Sequence, residues 1–171
     1  MNKAELLDVW CETASEFSAF FSAIDARDFI SARGSQWSYA RNVDHLVRSV
    51  APVANAMRLP KFLLRILFGI GKTKRSYQQI HDSYKAELAR GVQAPPKFQP
   101  VEGREQSELM HQWQVTAKRL EEQIKQWSES QLDDLRLPHP ILGKITVREM
   151  LYFTDLHARH HLENCRMTRD S

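Results

Sequence analysis

Apolar residues recur at three- and four-residue intervals through most of this chain, and no stretch alternates as a half-buried strand would. Leu6, Leu7, Trp10, Phe17, Phe20, Phe21 and Ile24 fall at helical spacing, which predicts a helix over residues 4–24. The stretch "DARDFISARGS" (25–35) breaks the pattern, with Gly34 the expected turn. A second helix is expected from Ser35 or Ser38 to about Met57, with Val43, Leu46, Val47 and Val50 on its apolar side. Pro60 interrupts the chain, an apolar piece at 62–68 ends at Gly69 and Gly71, and residues 76–90 read as a further helix stopping at Gly91. Three prolines and two glycines make "GVQAPPKFQPVEG" (91–103) a loop. A long polar helix follows over 104–128, carrying Leu109, Trp113, Leu120, Ile124 and Trp127 on one side. Pro138 and Pro140 forbid a helix in "LRLPHPILGKI", a tight connection. The last helix is expected to start at Thr146, whose capping-box partner is Glu149, and to run to about Met167. Four long helices, with an insertion between the second and third, predict an all-α four-helix bundle.

Composition narrows the possibilities. A length of 171 residues suits one domain over the whole chain, 1–171. Hydrophobic residues make up 42% and charged residues 26%, ordinary for a globular protein. With 24 cations against 21 anions there is no basic stripe, so no nucleic-acid partner is expected. Cys11 and Cys165 read more simply as reduced thiols in a cytoplasmic chain than as one disulfide. There is no signal-peptide core at the N-terminus and no membrane span. The longest apolar run, "FLLRILFGIG" (62–71), is interrupted by Arg65 and flanked by Lys61, Lys72, Lys74 and Arg75. It suits a short core-packing helix with cationic flanks better than a helix lying on a membrane surface.

Candidate chemistry centres on histidine. Three of the seven, His157, His160 and His161, lie within five positions of the last predicted helix. On a wheel of about 100° per residue with His157 at zero, His161 falls at about +40°, among Met150, Thr154, Val147 and Phe153. Arg148, Asp155, Arg159 and Arg166 fall opposite, and His160 on the shoulder. Side chains at i and i+4 stand one above the other, so two imidazoles there can share one metal ion. Two buried imidazoliums would repel, so an inward pair needs a metal or hydrogen bonds, and the pattern accommodates either. Ala158 follows His157, so the zinc-protease HExxH motif is absent.

A metal needs a further ligand. His139, between two prolines, is expected to be solvated, and His81 and His111 to lie on polar helix surfaces. His45 shares the polar side of the second helix with Ser38, Arg41, Asn42 and Ser49, and by periodicity reads as exposed. Asp44 points about 100° away from it and reads as a solvated carboxylate. Asn42, Ser49 and Asn164 could line a cleft, although short polar residues on a helix surface are commoner. Cys165 reads as a small core residue rather than a nucleophile.

Two pieces, "WSYARNVDHL" (37–46) and "HPILGKITVREMLYFTDLHARHH" (139–161), resemble the DinB/YfiT-like family of metal-binding four-helix bundles. The matching positions are Trp37 and Ser38, then His45 and Leu46; Pro140, Gly143, Thr146 and Glu149; and His157 and His161. The resemblance implies an up-down-down-up bundle, often a homodimer, in which His45, His157 and His161 hold a divalent ion. His160 would be a bystander or face the substrate. Three imidazoles suit zinc, nickel, copper or iron, with zinc or nickel the expected ion. The family includes bacterial transferases whose metal activates a low-molecular-weight thiol, and proteins with proposed hydrolase activity. The expectation is therefore a metal-dependent thiol transferase or hydrolase. The competing expectation is a non-catalytic, dimerising helical module that binds a metal or small ligand.

Overall fold

The computed structural model describes residues 1–34 and 36–169, so Ser35, one of the two expected starts of the second helix, lies outside the described residues. The helices are α1 (Lys3–Ser22), α2 (Ala26–Ile30), α3 (Tyr39–Met57), α4 (Lys61–Phe68), α5 (Tyr77–Ala89), α6 (Gln106–Gln126), α7 (Glu129–Asp134) and α8 (Val147–Met167). A 3-10 turn, Pro96–Phe98, lies in the loop between α5 and α6. Short polar residues start the helices where the sequence places them. Asn2 with Glu5 caps α1, the Ser38 side chain accepts from Arg41 N–H to cap α3, and Thr146 with Glu149 caps α8.

The four long helices are α1, α3, α6 and α8, and their tertiary contacts fix their directions. Lys3 reaches the carbonyls of Lys125 and Trp127, while Gln106 reaches those of Phe21 and Ile24, so α1 and α6 are antiparallel. Asp44 pairs with Arg104, and Trp127 donates to the Met57 carbonyl, so α3 and α6 run the same way. Arg148 holds the Met1 carbonyl and Arg166 pairs with Glu16, so α8 runs with α1. The result is the expected up-down-down-up bundle. Its core holds Phe17, Phe21, Trp113, Leu46 and Met57, all fully buried, with the Phe17 and Trp113 rings 4.2 Å apart. Burying side chains of this size is worth about 1.5–3 kcal/mol each.

Two expectations, the form of the proline-rich connection and the packing of the apolar piece at 62–68, need correction. The proline-rich connection is an antiparallel hairpin, β1 (Arg136–His139) and β2 (Gly143–Thr146), with Leu137 paired to Ile145. Gly143 closes it at φ 74°, a conformation that favours glycine. The strands are four residues long, too short for alternation to show before Pro138 and Pro140 mask it.

Two of the outward charges of α8, Arg148 and Asp155, are buried. Arg148 is buried against Asp133, Glu129 and the Met1 carbonyl; Asp155 is buried and accepts from Thr13 and Tyr77. α8 is packed on both faces, and on its far side ion pairs and hydrogen bonds sit among the buried Leu151, Tyr152 and Leu162.

α4 buries Leu64 alone in the core, leaving Phe62, Ile66 and Leu67 exposed, so it is not mainly a core-packing helix. No helix among the described residues is long and apolar enough to cross a membrane. Both cysteines are free thiols, Cys165 buried and Cys11 partly so.

Candidate metal centre

α3 and α8 run in opposite directions along one seam of the bundle, and that seam brings together residues more than a hundred positions apart. His45 Nε2 lies 3.0 Å from His157 Nε2, and His161 Nε2 lies 3.1 Å from the same atom. One ligand atom from each of the three falls within 4.8 Å of the others, the arrangement a metal ion requires. His45 is buried, while His157 and His161 are partly exposed on the wall of a cavity.

The outer nitrogens decide what the inner ones can do. His45 Nδ1 lies 2.8 Å from the Phe98 carbonyl, so it must carry the proton and donate, leaving a lone pair on Nε2. His161 Nδ1 lies 2.7 Å from Asn42 Oδ1. The Asn42 amide cannot be turned around, because its Nδ2 donates to the carbonyls of Ser38 and Trp37 at 2.9 and 3.3 Å. His161 therefore also donates from Nδ1 and presents a lone pair at Nε2. Two lone pairs thus converge on His157 Nε2, which has at most one proton to share between them. A cation at the convergence point satisfies all three nitrogens at once. Nitrogens sharing one four-coordinate ion at about 2.0–2.1 Å lie roughly 3.3 Å apart, a few tenths more than the separations here. The donor set therefore fits a divalent ion after small ring movements, and its imidazole-only chemistry suits zinc or its first-row neighbours.

Electrostatics keep these rings neutral. Burial pushes His157 and His161 well below the ordinary imidazole value, and the neighbouring histidines push them the same way. His45 is also lowered by burial, partly offset by its bond to Phe98 and by nearby Asp44. Neutral imidazole is the form that binds metal.

His45, read from its helix face as exposed, is buried because that face meets a loop instead of the bundle core. The loop is tied down by Asp44, a second correction. Asp44 is fully buried, not solvated: it accepts from Val101 N–H at 2.7 Å and pairs with Arg48 and Arg104 at 2.7 and 2.9 Å. These bonds bring the Phe98 carbonyl over His45. Asn42 proves to be the orienting partner of His161, and Ser49 donates to the His45 carbonyl. Asn164 is exposed and bonds to His160 Nε2 at 3.0 Å, so His160 stands beside the three without joining them.

His139, expected to be solvated, is buried with its ring 4.0 Å from that of Phe153. Its Nδ1 accepts from the backbone N–H groups of Ile141 and Leu142, closing the hairpin turn. The proton is thus on Nε2, and burial, with the Arg75 charge, lowers its pKa to about 4. The three-histidine group opens on a cavity of about 610 Å³ between α3, α5, α8, the hairpin and the 92–99 loop. Tyr84 of α5 covers it, its ring edge-on to His157 and His160. The sequence held a signal for His139 in its position before the hairpin turn, but none for its burial.

The fold has known counterparts. TT2238, described as a four-helix bundle protein, superposes with a TM-score of 0.62 over 96% of this chain and 98% of its own, at 14% identity. YfiT from Bacillus subtilis, described as a probable metal-dependent hydrolase with an unusual four-helix bundle topology, superposes with a TM-score of 0.56 over 97% of this chain and 85% of its own, at 15% identity. No curated protein matches the sequence. The sequence pattern of the DinB superfamily matches residues 9–165, nearly the whole bundle including all three histidines, and the chain belongs to the DinB superfamily.

Proposed function

We propose that the chain is a divalent-metal-dependent hydrolase whose ion is held by His45, His157 and His161. The observation that supports this most is the convergence of Nε2 lone pairs from α3 and α8 at the wall of a ligand-sized cavity. Three protein ligands leave coordination positions open, as catalytic sites do and closed structural sites do not. When bound, such an ion supplies Lewis acidity and lowers the pKa of a coordinated water. The chain's own residues supply the rest. Phe98 and Asn42 lock the orientation and tautomer of two ligands. Tyr84 and the 92–99 loop cover the cavity and limit water. No carboxylate lines the cavity among the described residues, so His139 and His160 are the side chains there that could hold or pass a proton.

The test is hydrolysis of uncharged aryl and alkyl esters by chelator-treated protein before and after adding back zinc or nickel, beside His157→Ala. Metal-restored turnover that the variant lacks supports the hydrolase. Turnover that appears only with an added low-molecular-weight thiol places the chain among thiol-dependent transferases. A bound ion with no turnover of either kind leaves a ligand-capturing module.

A further inference from the structure

The cavity wall specifies more than a metal. Apart from its histidines, Lys97 at the exposed edge is the one charged residue that lines it; among the described residues no Asp, Glu or Arg does. Beyond the three-histidine end the wall is mostly aliphatic and aromatic, with Val50, Val53, Leu88 and Ile141, and is broken by the uncharged amides of Gln93 and Gln99. Two of its neutral donors, His139 Nε2–H and the hydroxyl of Tyr84, whose ring packs edge-on to His157 and His160, have no hydrogen-bond partner among the described residues. At about 610 Å³ the space matches small-molecule sites, which run to about 300–1,000 Å³.

We infer that this site takes an uncharged, apolar-bodied molecule with one metal-ligating polar head, such as an aliphatic or aromatic ester or amide, rather than a multiply charged thiol. The head lies at the histidine end, where His139 and Tyr84 can donate to a carbonyl oxygen. The body fills the aliphatic end, where each buried methylene gains transfer free energy. A charged body would find one cation, Lys97 at the exposed edge, and no ionic partner deeper in the wall, a steep cost for a buried ion. The inference rests on the metal-site reading for the head group alone; the selection of the body depends on the wall.

The experiment is calorimetric titration of zinc-loaded protein with alkyl hydroxamates of increasing chain length, beside carboxylate-tailed hydroxamates and glutathione. Affinity should rise about fourfold per methylene until the cavity is full. The carboxylate-tailed probes should bind at least tenfold more weakly than alkyl probes of equal length. Ile141→Glu, at the partly exposed hairpin turn, should weaken the long alkyl probes tenfold while leaving metal content unchanged. Affinity independent of chain length, or equal for charged probes, overturns the inference. Primary alkyl amides titrated into metal-free protein separate the two readings. Chain-length dependence there without zinc binding would sink the metal site and keep the apolar wall; no dependence there sinks the wall.

Discussion

Replacing Asn42 with leucine removes one hydrogen bond from the outside of the three-histidine cluster and none from its inside. Asn42 is 7% exposed, and its Oδ1 accepts from His161 Nδ1 at 2.7 Å. Leucine keeps similar bulk but leaves that N–H without a partner in a buried place, a cost of about 1–3 kcal/mol. The ring is then free to swing or to move its proton to Nε2, the atom that should face the ion. Partners of this kind usually contribute about 10–100-fold to metal affinity. Zinc affinity of Asn42→Leu, measured by competition with a chromophoric chelator, should fall within that range. Loss of the two bonds from Nδ2 to the start of α3 should also lower folding stability by about 1–2 kcal/mol. Asn42→Asp keeps the acceptor for His161 but sets a carboxylate oxygen against the Ser38 and Trp37 carbonyls, so it should keep the affinity while losing stability. Ser49→Ala, which alters the same helix without touching an imidazole nitrogen, should leave affinity within about twofold. A folded Asn42→Leu protein that binds zinc as tightly as the parent would refute the tautomer argument.

Three further outcomes are expected. Asp44→Ala should lower stability by about 2–4 kcal/mol in urea titration, because two guanidinium groups and the Val101 N–H lose a buried partner; a loss within experimental error would show that the 98–104 loop is not fastened there. His139 has a folded pKa of about 4 against about 6.5 unfolded, so between these values the unfolded chain binds a proton the folded chain refuses. Stability should therefore fall as pH drops from about 7 to about 4, by up to about 2–3 kcal/mol from this group, and His139→Gln should flatten the fall in metal-free protein. An unchanged pH profile would contradict the buried, neutral ring. Cys165, buried and with its thiol pushed up to about 11, should react with a disulfide reagent only upon unfolding. Rapid labelling of Cys165 in native protein would show that α8 frays at that point.

Helix periodicity and capping residues carried most of the fold. Thr146 with Glu149 marked the start of α8, and the spacing of Phe17, Phe21, Leu120 and Ile124 marked the core. Periodicity reads only whether a residue faces the apolar core, and that is where it failed. His45 and Asp44 face a loop, and Asn42 faces His161 of α8; hydrogen bonds bury all three, so their polar character disguised their burial. Arg148 and Asp155 were disguised in the same way, Arg148 by its carboxylate partners and Asp155 by the Tyr77 hydroxyl and the Arg159 guanidinium. His157 and His161 were legible because their spacing put two imidazoles on an apolar face. His45 was indicated by the family resemblance alone, since pairing α3 with α8 is a long-range property no local window contains. The burial of His139 follows from the hairpin, which four-residue strands interrupted by proline do not announce.

The most direct test of the account is the metal content of the chain, purified without an affinity tag or chelator, beside His45→Ala, His157→Ala and His161→Ala. About one divalent ion per native chain is predicted, with the ion lost or much weakened in each variant while helical content is retained. A native chain that holds no ion even after reconstitution, or variants that hold as much as the parent, would contradict it.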